Sequence, residues 1–450
     1  MKTILKILML FMALVLLSYC NKKVETGIDI PDNNFLNSLI QLGVDLNHDG
    51  IISPQEASWV YNLDVSGKNI SRLNGIEAFV NLTHLDCHSN KLTSLDVTKN
   101  VGLTELVCND NQLTDLDVTK NTGLTDLHCS ENQLTSLDIS YNILLSNVSC
   151  GNNHLGSLPV TKNTELTQLV CNGNQLSSLD VTKNTNLTLL NCDINQLSSL
   201  DLTKNTKLTY ISCWVNQLSS LDLTRNTELG WLDCSGNKLT SLDLSKNTAL
   251  ISLRCNGNQI PNLDVTDCLV LKYLDCEGNK LTSLDISHNS DLVTLSCGGN
   301  LLPNLDVSNN TYLGNLSCEG TRLARLDVSK NTALLTLWCG ENQLTTLDVS
   351  FNTELRFLEC PNNQLTRLDV ANLLKLRILI CNDNQLTSLD ISKNTNLGPG
   401  EGYLSGCYLG INNMTSLGKV CVWTMPFPPA GVTVEATGSP GVYFTTDCSK

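Results

Sequence analysis

Positive charge is scarce in this chain of 450 residues: 29 Lys and Arg stand against 44 Asp and Glu, for a net charge of −15 and a pI near 4.8. That balance excludes a nucleic-acid partner, because affinity for phosphate backbones comes from neutralising them with Lys and Arg. Aromatic residues are only 5% of the chain, so any place where they gather carries information. Beyond residue 20 no apolar run approaches the roughly 20 residues that span a bilayer. Histidine is sparse (His48, His84, His88, His128, His154 and His288), and no phosphate loop, zinc-helix motif or nucleophile elbow is present. An enzyme would need a clustered acid–base pair in an enclosed pocket, and no inserted domain supplies one. A non-catalytic protein is expected.

What the chain has in quantity is repetition. A cysteine recurs at Cys87, Cys108, Cys129, Cys150, Cys171, Cys192, Cys213, Cys234, Cys255, Cys276, Cys297, Cys318, Cys339, Cys360 and Cys381, fifteen times at a spacing of 21. A fixed period of this length marks a solenoid, whose turns bury their apolar faces only by stacking on one another.

The unit reads LTxLxCxxNQLTSLDVTKNTx, two similar halves with apolar residues alternating over a short span. Alternation with period two is a strand signal, so each turn is expected to hold one parallel front strand (Leu85–Cys87 in the first full repeat) and a strand-like back segment with Leu95 and Val97. The first asparagine (Asn90, Asn111 and onward) occurs in fourteen of fifteen repeats, with Thr321 the exception. Turned inward, its amide satisfies backbone groups left free at the turn. The cysteine column reads as free buried thiols, because in-register stacked side chains do not readily supply disulfide geometry.

These motifs resemble the leucine-rich repeat family, specifically its 21-residue bacterial class (the IRREKO type), with consensus LxxLxCxxNxLxxLDLxxNxx. The match runs from about Leu63 to Leu397. The resemblance implies a parallel β-rich right-handed solenoid of about 16 rungs, used as a binding scaffold. Cys268 stands in the second asparagine column, between Asn247 and Asn289, where the family accepts Cys.

The ends differ from the body. Residues 1–20 carry Lys2 and Lys6 ahead of an apolar run, a secretory signal, and Leu17-Ser18-Tyr19-Cys20 resembles a lipoprotein box. Cys20 is then the acylated N-terminus, with a linker over 21–30; ordinary cleavage and a freely secreted protein is the alternative. The expected location is the outer envelope of a Gram-negative bacterium, on resemblance alone.

Residues 31–60 form an N-terminal cap that starts with a helix after Asp32 and continues as DLNHDGIISPQE. That stretch has EF-hand spacing, with oxygens from Asp45, Asn47, Asp49, Ile51 (carbonyl), Ser53 and Glu56 and a glycine at place six, Gly50. One structural Ca2+ is expected. Repeats fill 61–397, beginning with an aberrant one in which Val65 takes the cysteine place, and a short β/turn cap closes 398–450. Export permits a disulfide, and Cys421 with Cys448 is the expected pair.

Two polar patterns invite a site. Asp96, Asp117 and their equivalents recur in fourteen of fifteen repeats, broken at Pro159, with Lys or Arg often three residues on; neighbouring cations or local Asx-type bonds would offset the repulsion of stacked carboxylates. The charged Asp argues against an ice-binding face. His84, Asp86 and His88 share one strand face, as either a transition-metal site or a polar surface. The ligand is expected on the front face between Cys213 and Cys276, where the outward positions become Tyr210, Trp214, Trp231, Asp233, Arg254, Tyr273 and Asp275. Exposed Trp and Tyr beside Arg and Asp have the composition of a binding hot spot. A monomer that binds a protein or peptide is the expected function, with glycan adhesion or a purely structural envelope role as alternatives.

Overall fold

The structure of the protein is a computed structural model describing residues 26–398 and 408–449. The expected signal segment 1–20 and acylation site Cys20, and Cys407, lie outside the described residues. The chain divides into two compact units, Met1–Leu158 and Pro159–Lys450.

Each turn of the repeat is built on one constraint. Leu82, Leu85 and Cys87 all point inward and are buried, which leaves three residues extended before the chain must turn. The first unit accordingly holds the parallel strands β1 (Asn62–Asp64), β2 (His84–Asp86), β3 (Glu105–Val107), β4 (Asp126–His128) and β5 (Asn147–Ser149). Two residues past each cysteine the backbone turns left-handed, at Ser89 (φ 52°), Asp110 (51°), Ile194 (48°) and Gly236 (59°) among others. Small and polar residues dominate there because a side chain in that region crowds its own backbone.

The front asparagines hold turn to turn. Asn111 Nδ2 donates to the carbonyls of Cys87 (3.1 Å) and Cys108 (3.2 Å), and its Oδ1 accepts from Leu92 N–H (2.9 Å). One side chain thus satisfies backbone groups on two turns, in positions buried away from water. In the second column Asn121 Nδ2 donates to Val97 O (3.0 Å) and Asn100 O (2.8 Å). At Cys268 the column continues through a thiol 3.8 Å from Asn247 O.

The back of the turn corrects the expectation of a second strand. Among the described residues strands form there only from Ser388 onward, and before them only an isolated bridge, Asp96 with Asp117, appears. The recurring aspartates make Asx turns instead: Asp96 Oδ1 accepts Thr98 N–H (2.9 Å) and Thr98 Oγ1 (2.6 Å). That hydroxyl and amide hold the carboxyl below its usual range, with Lys99 a smaller influence. Local turn bonds, more than neighbouring cations, stabilise the acidic column.

In the second unit the front sheet runs through β6 (Gln168–Val170), β7 (Leu189–Asn191), β8 (Tyr210–Ser212), β9 (Trp231–Asp233), β10 (Ser252–Arg254), β11 (Tyr273–Asp275), β12 (Thr294–Ser296), β13 (Asn315–Ser317), β14 (Thr336–Trp338), β15 (Phe357–Glu359) and β16 (Ile378–Ile380). The late back strand is β17 (Ser388–Asp390), and the front sheet then gains β18 (Leu409–Gly410) and β20 (Val434–Glu435). The expected number of about 16 rungs is therefore low by two: among the described residues five front strands lie in the first unit and thirteen in the second. The segment expected as a short β/turn cap also continues the ladder, since Ile411 takes the position that Cys381 holds one turn earlier. Behind it β19 (Lys419–Cys421) joins β17 and β21 (Tyr443–Thr445) in a three-stranded parallel sheet, and a disulfide links Cys421 to Cys448, Cα atoms 5.6 Å apart. All fifteen ladder cysteines and Cys268 are buried and outside any disulfide.

In the first unit α1 (Asn33–Gln41) starts at Asp32, whose side chain accepts from Asn34 and Phe35 N–H. Its buried Phe35 meets Phe79, ring centroids 6.5 Å apart, and closes the end of the core.

Candidate functional site

Strands β8 to β11 adjoin in register, so outward side chains line up in columns. Tyr210, Trp231, Ser252 and Tyr273 form one; Ser212, Asp233, Arg254 and Asp275 form the next. Tyr210 and Trp231 stack with centroids 6.0 Å apart and planes 17° from parallel, and the Arg254 guanidinium lies 5.8 Å from the Trp231 ring centre. Trp214 follows Cys213 and is exposed. All seven residues expected to bind a ligand therefore share four consecutive rungs of one face.

A residue the sequence reading missed holds Trp214 in place. Asp193 is buried, and its Oδ1 accepts from Trp214 N–H (2.9 Å) and Ser212 Oγ (2.7 Å). Burial pushes its carboxyl upward against those two bonds, and burial does the same for Asp275. Among the described residues the ion pairs are His84–Glu105, His88–Asp86 and Lys375–Glu354, so Asp193, Asp233, Arg254 and Asp275 are not in one.

Two depressions mark this face. The first, about 410 Å³, lies among Trp231, Ser252, Arg254, Tyr273, Asp275 and Thr294. The second, about 440 Å³, shares Thr294 and Ser296 with it and reaches Thr336, Trp338, Arg356 and Phe357. The face thus extends to β15, four rungs past the expected site. Trp338 and Phe357 occupy the same outward columns as Arg254 and Ser252, so continuing the columns along the chain finds them.

In the first unit Asp45, Ser53 and Glu56 are buried while Asn47, Asp49 and Ile51 are exposed. Asp45 accepts Asp49 N–H (3.2 Å) and Gly50 N–H (3.0 Å), Asn47 Oδ1 accepts Asp49 N–H (2.9 Å), and Gly50 takes φ +81°. Ser53 caps α2 (Pro54–Ala57) in a capping box: Glu56 accepts Ser53 N–H (2.8 Å) and Oγ (2.9 Å), and also Leu46 N–H (2.8 Å). The donors are all hard oxygens wound round one loop, which suits calcium. Among the described residues the one set of three His, Cys, Asp or Glu ligand atoms within 4.8 Å is Asp390, Cys421 and Cys448, two of which are the disulfide. The carboxylates of Asp45, Asp49 and Glu56 are thus not drawn that close. His84, Asp86 and His88 are not gathered either: His88 Nδ1 pairs with Asp86 (2.7 Å), while His84 faces Glu105 at 3.7 Å.

The stacked turns, the asparagine columns and the outward-facing strand define a class of protein: this chain belongs to the leucine-rich repeat proteins. It is similar to the functional domain of InlJ from Listeria monocytogenes, described as including a cysteine ladder, at 33% identity and TM-score 0.71 over 88% of this chain and 83% of that one. A leucine-rich repeat protein from Leptospira interrogans is similar at 24% identity and TM-score 0.63, over 77% of this chain and 90% of that one. The ectodomain of the Arabidopsis thaliana receptor kinase GASSHO1/SCHENGEN3, in complex with CASPARIAN STRIP INTEGRITY FACTOR 2, shares the fold at 20% identity and TM-score 0.61, over 87% and 56% of the two chains. No protein-family model and no curated protein matches the sequence.

Proposed function

We propose that the front face of the second unit, from β8 to β15, is a non-catalytic docking surface for a protein or peptide. One observation carries the reading: in a chain with 5% aromatics, Tyr210, Trp214, Trp231 and Tyr273 gather on four consecutive rungs beside Asp233, Arg254 and Asp275, none of them in an ion pair. Large rigid rings beside directional polar groups give contact area at low entropic cost. The Arabidopsis ectodomain of the same fold, held in a complex with its factor, supports the reading. The signal segment 1–20 and Cys20 support export and a lipid anchor at the cell envelope.

The loop from Asp45 to Glu56 would hold one Ca2+ through Asp45, Asn47, Asp49, the Ile51 carbonyl, Ser53 and Glu56. The ion would draw these carboxylates together and stiffen the cap over α1.

The test pans a displayed peptide library on the wild-type protein and on Trp214→Ala/Trp231→Ala. Peptides enriched on the wild type should lose the double variant, while its melting stays within a few degrees, since both rings lie outside the core. Peptides that bind the variant equally well would place docking on another face.

A further inference from the structure

The depression between β9 and β11 has a chemical oddity at its floor. Ser252 is only 1% exposed, yet its hydroxyl has no hydrogen-bond partner. A buried hydroxyl without a partner costs on the order of 1–3 kcal/mol, so native structures rarely leave one without a reason. Its two register partners are Trp231 and Tyr273, one on each neighbouring strand. The slot is therefore an orphaned hydroxyl flanked by two aromatic side chains.

Its width follows from the sheet. Strands lie about 4.8 Å apart, so residues two rungs apart are separated by roughly 9.6 Å. Carbon atoms in contact sit about 3.5–4.0 Å apart, so a flat ring between the two walls would fill only about 7–8 Å. The remaining space of about 2 Å suits a puckered, saturated ring. Polar groups surround the rim: Asp233, Arg254 and Asp275 are neighbours in one column, none of them in an ion pair. A peptide side chain that is apolar along its flanks is polar at one end at most. A group with two apolar faces and hydroxyls around its whole edge would use both walls, the floor and the rim at once.

We infer that this slot binds a pyranose ring, seated between Trp231 and Tyr273 once the exposed Arg254 side chain leaves the Trp231 face, with its hydroxyls on Ser252 Oγ, Arg254 and Asp275. The inference rests on the front face being the docking surface and adds what the partner presents there: a sugar residue, whether carried on a protein or within a polysaccharide. The depression of about 410 Å³ is within the range of small-ligand sites.

The experiment uses methyl glycosides of glucose, galactose, mannose and N-acetylglucosamine as probes, with saturation-transfer NMR on the full ectodomain. At least one should bind in the millimolar range, with its ring C–H protons most strongly saturated. Ser252→Ala should weaken that glycoside about tenfold while melting stays level or rises, because the variant removes an unpartnered hydroxyl from the free protein. Tyr273→Ala should abolish binding. No binding by any of the four, or binding that Ser252→Ala and Tyr273→Ala leave unchanged, would overturn the sugar assignment. If sugar binding is absent while Trp214→Ala/Trp231→Ala still loses its selected peptides, the slot is overturned and the docking face stands.

Discussion

Replacing Thr321 by asparagine should stabilise the second unit. In the regular turns an asparagine Oδ1 accepts the N–H of a leucine one turn earlier: Leu281 bonds Asn300 at 3.0 Å and Leu323 bonds Asn342 at 2.9 Å. Thr321 is the one break in that column. Its hydroxyl turns to Cys318 O (2.8 Å) and Asn342 Oδ1 (3.0 Å), and among the described residues no acceptor reaches the N–H of buried Leu302. The next residue, Arg322, is held left-handed at φ 69°, a second distortion absent from the regular turns. An unpaired buried N–H costs about 1–3 kcal/mol, and the hydroxyl bond lost on substitution contributes about 0.5–1.5 kcal/mol. The net expectation is a gain of roughly 1 kcal/mol. Urea unfolding followed by circular dichroism reads the overall change. Because long repeat arrays depart from two-state behaviour, amide exchange at Leu302 is the sharper assay and should slow about fivefold or more. Asn300→Ala is the opposing control and should speed exchange at Leu281. If Thr321→Asn left Leu302 exchange unchanged or lowered the urea midpoint, the asparagine column would not be what satisfies these amides.

Alkaline pH should unfold the protein well before its backbone is harmed. Burial pushes the thiols of Cys150, Cys318 and Cys360 up to about 12, whereas in the unfolded chain they ionise near 9. The folded state keeps its thiol protons while the unfolded state loses them, so stability is full below pH 9 and falls towards pH 12, by about 1 kcal/mol per thiol and pH unit; a flat melting temperature across that range would contradict the buried ladder. Alkylation at pH 8 without a reductant should modify the ladder cysteines only after denaturation, and blocked thiols in the denatured protein would show that they pair. Chelation should lower the melting temperature of the N-terminal cap if the Asp45–Glu56 loop holds Ca2+, and calorimetry should count one ion; no heat of binding would refute the assignment.

Much of this molecule is legible in its sequence, and the reason is redundancy. Fifteen copies of one spacing leave no doubt about which leucines point inward, and the register that aligns Tyr210 with Trp231 follows from the same count. What escapes is whatever depends on departures from the period. The spacing stretches from 21 to 30 between Cys381 and Ile411, so the rungs at β18 and β20 leave no periodic trace even though β18 pairs with β16 and β20 with β18. Asp193 looks like any outward acid, and its burial becomes apparent only once Ser212 and the backbone of Trp214 on the next rung close over it. The Asx turns of the back could be told from charge pairing only by geometry, because both use an acid followed by Thr or Ser and then Lys.

The asparagine column has a consequence for how such a chain changes over generations. Each amide joins its own turn to the one before it, so a turn is complete only with a neighbour. A single added residue can be looped out, as between Val65 and Cys87, where Asn90 still accepts Ile70 N–H (2.9 Å) and donates to Val65 O (2.9 Å), whereas a copied or deleted block of 21 leaves every bond with an equivalent partner. Length is then a quantity that gene duplication can alter in whole steps, each adding one more outward trio of side chains. Those trios are free to vary because nothing in the column depends on them. The chain can explore new partners at its surface while its interior repeats itself.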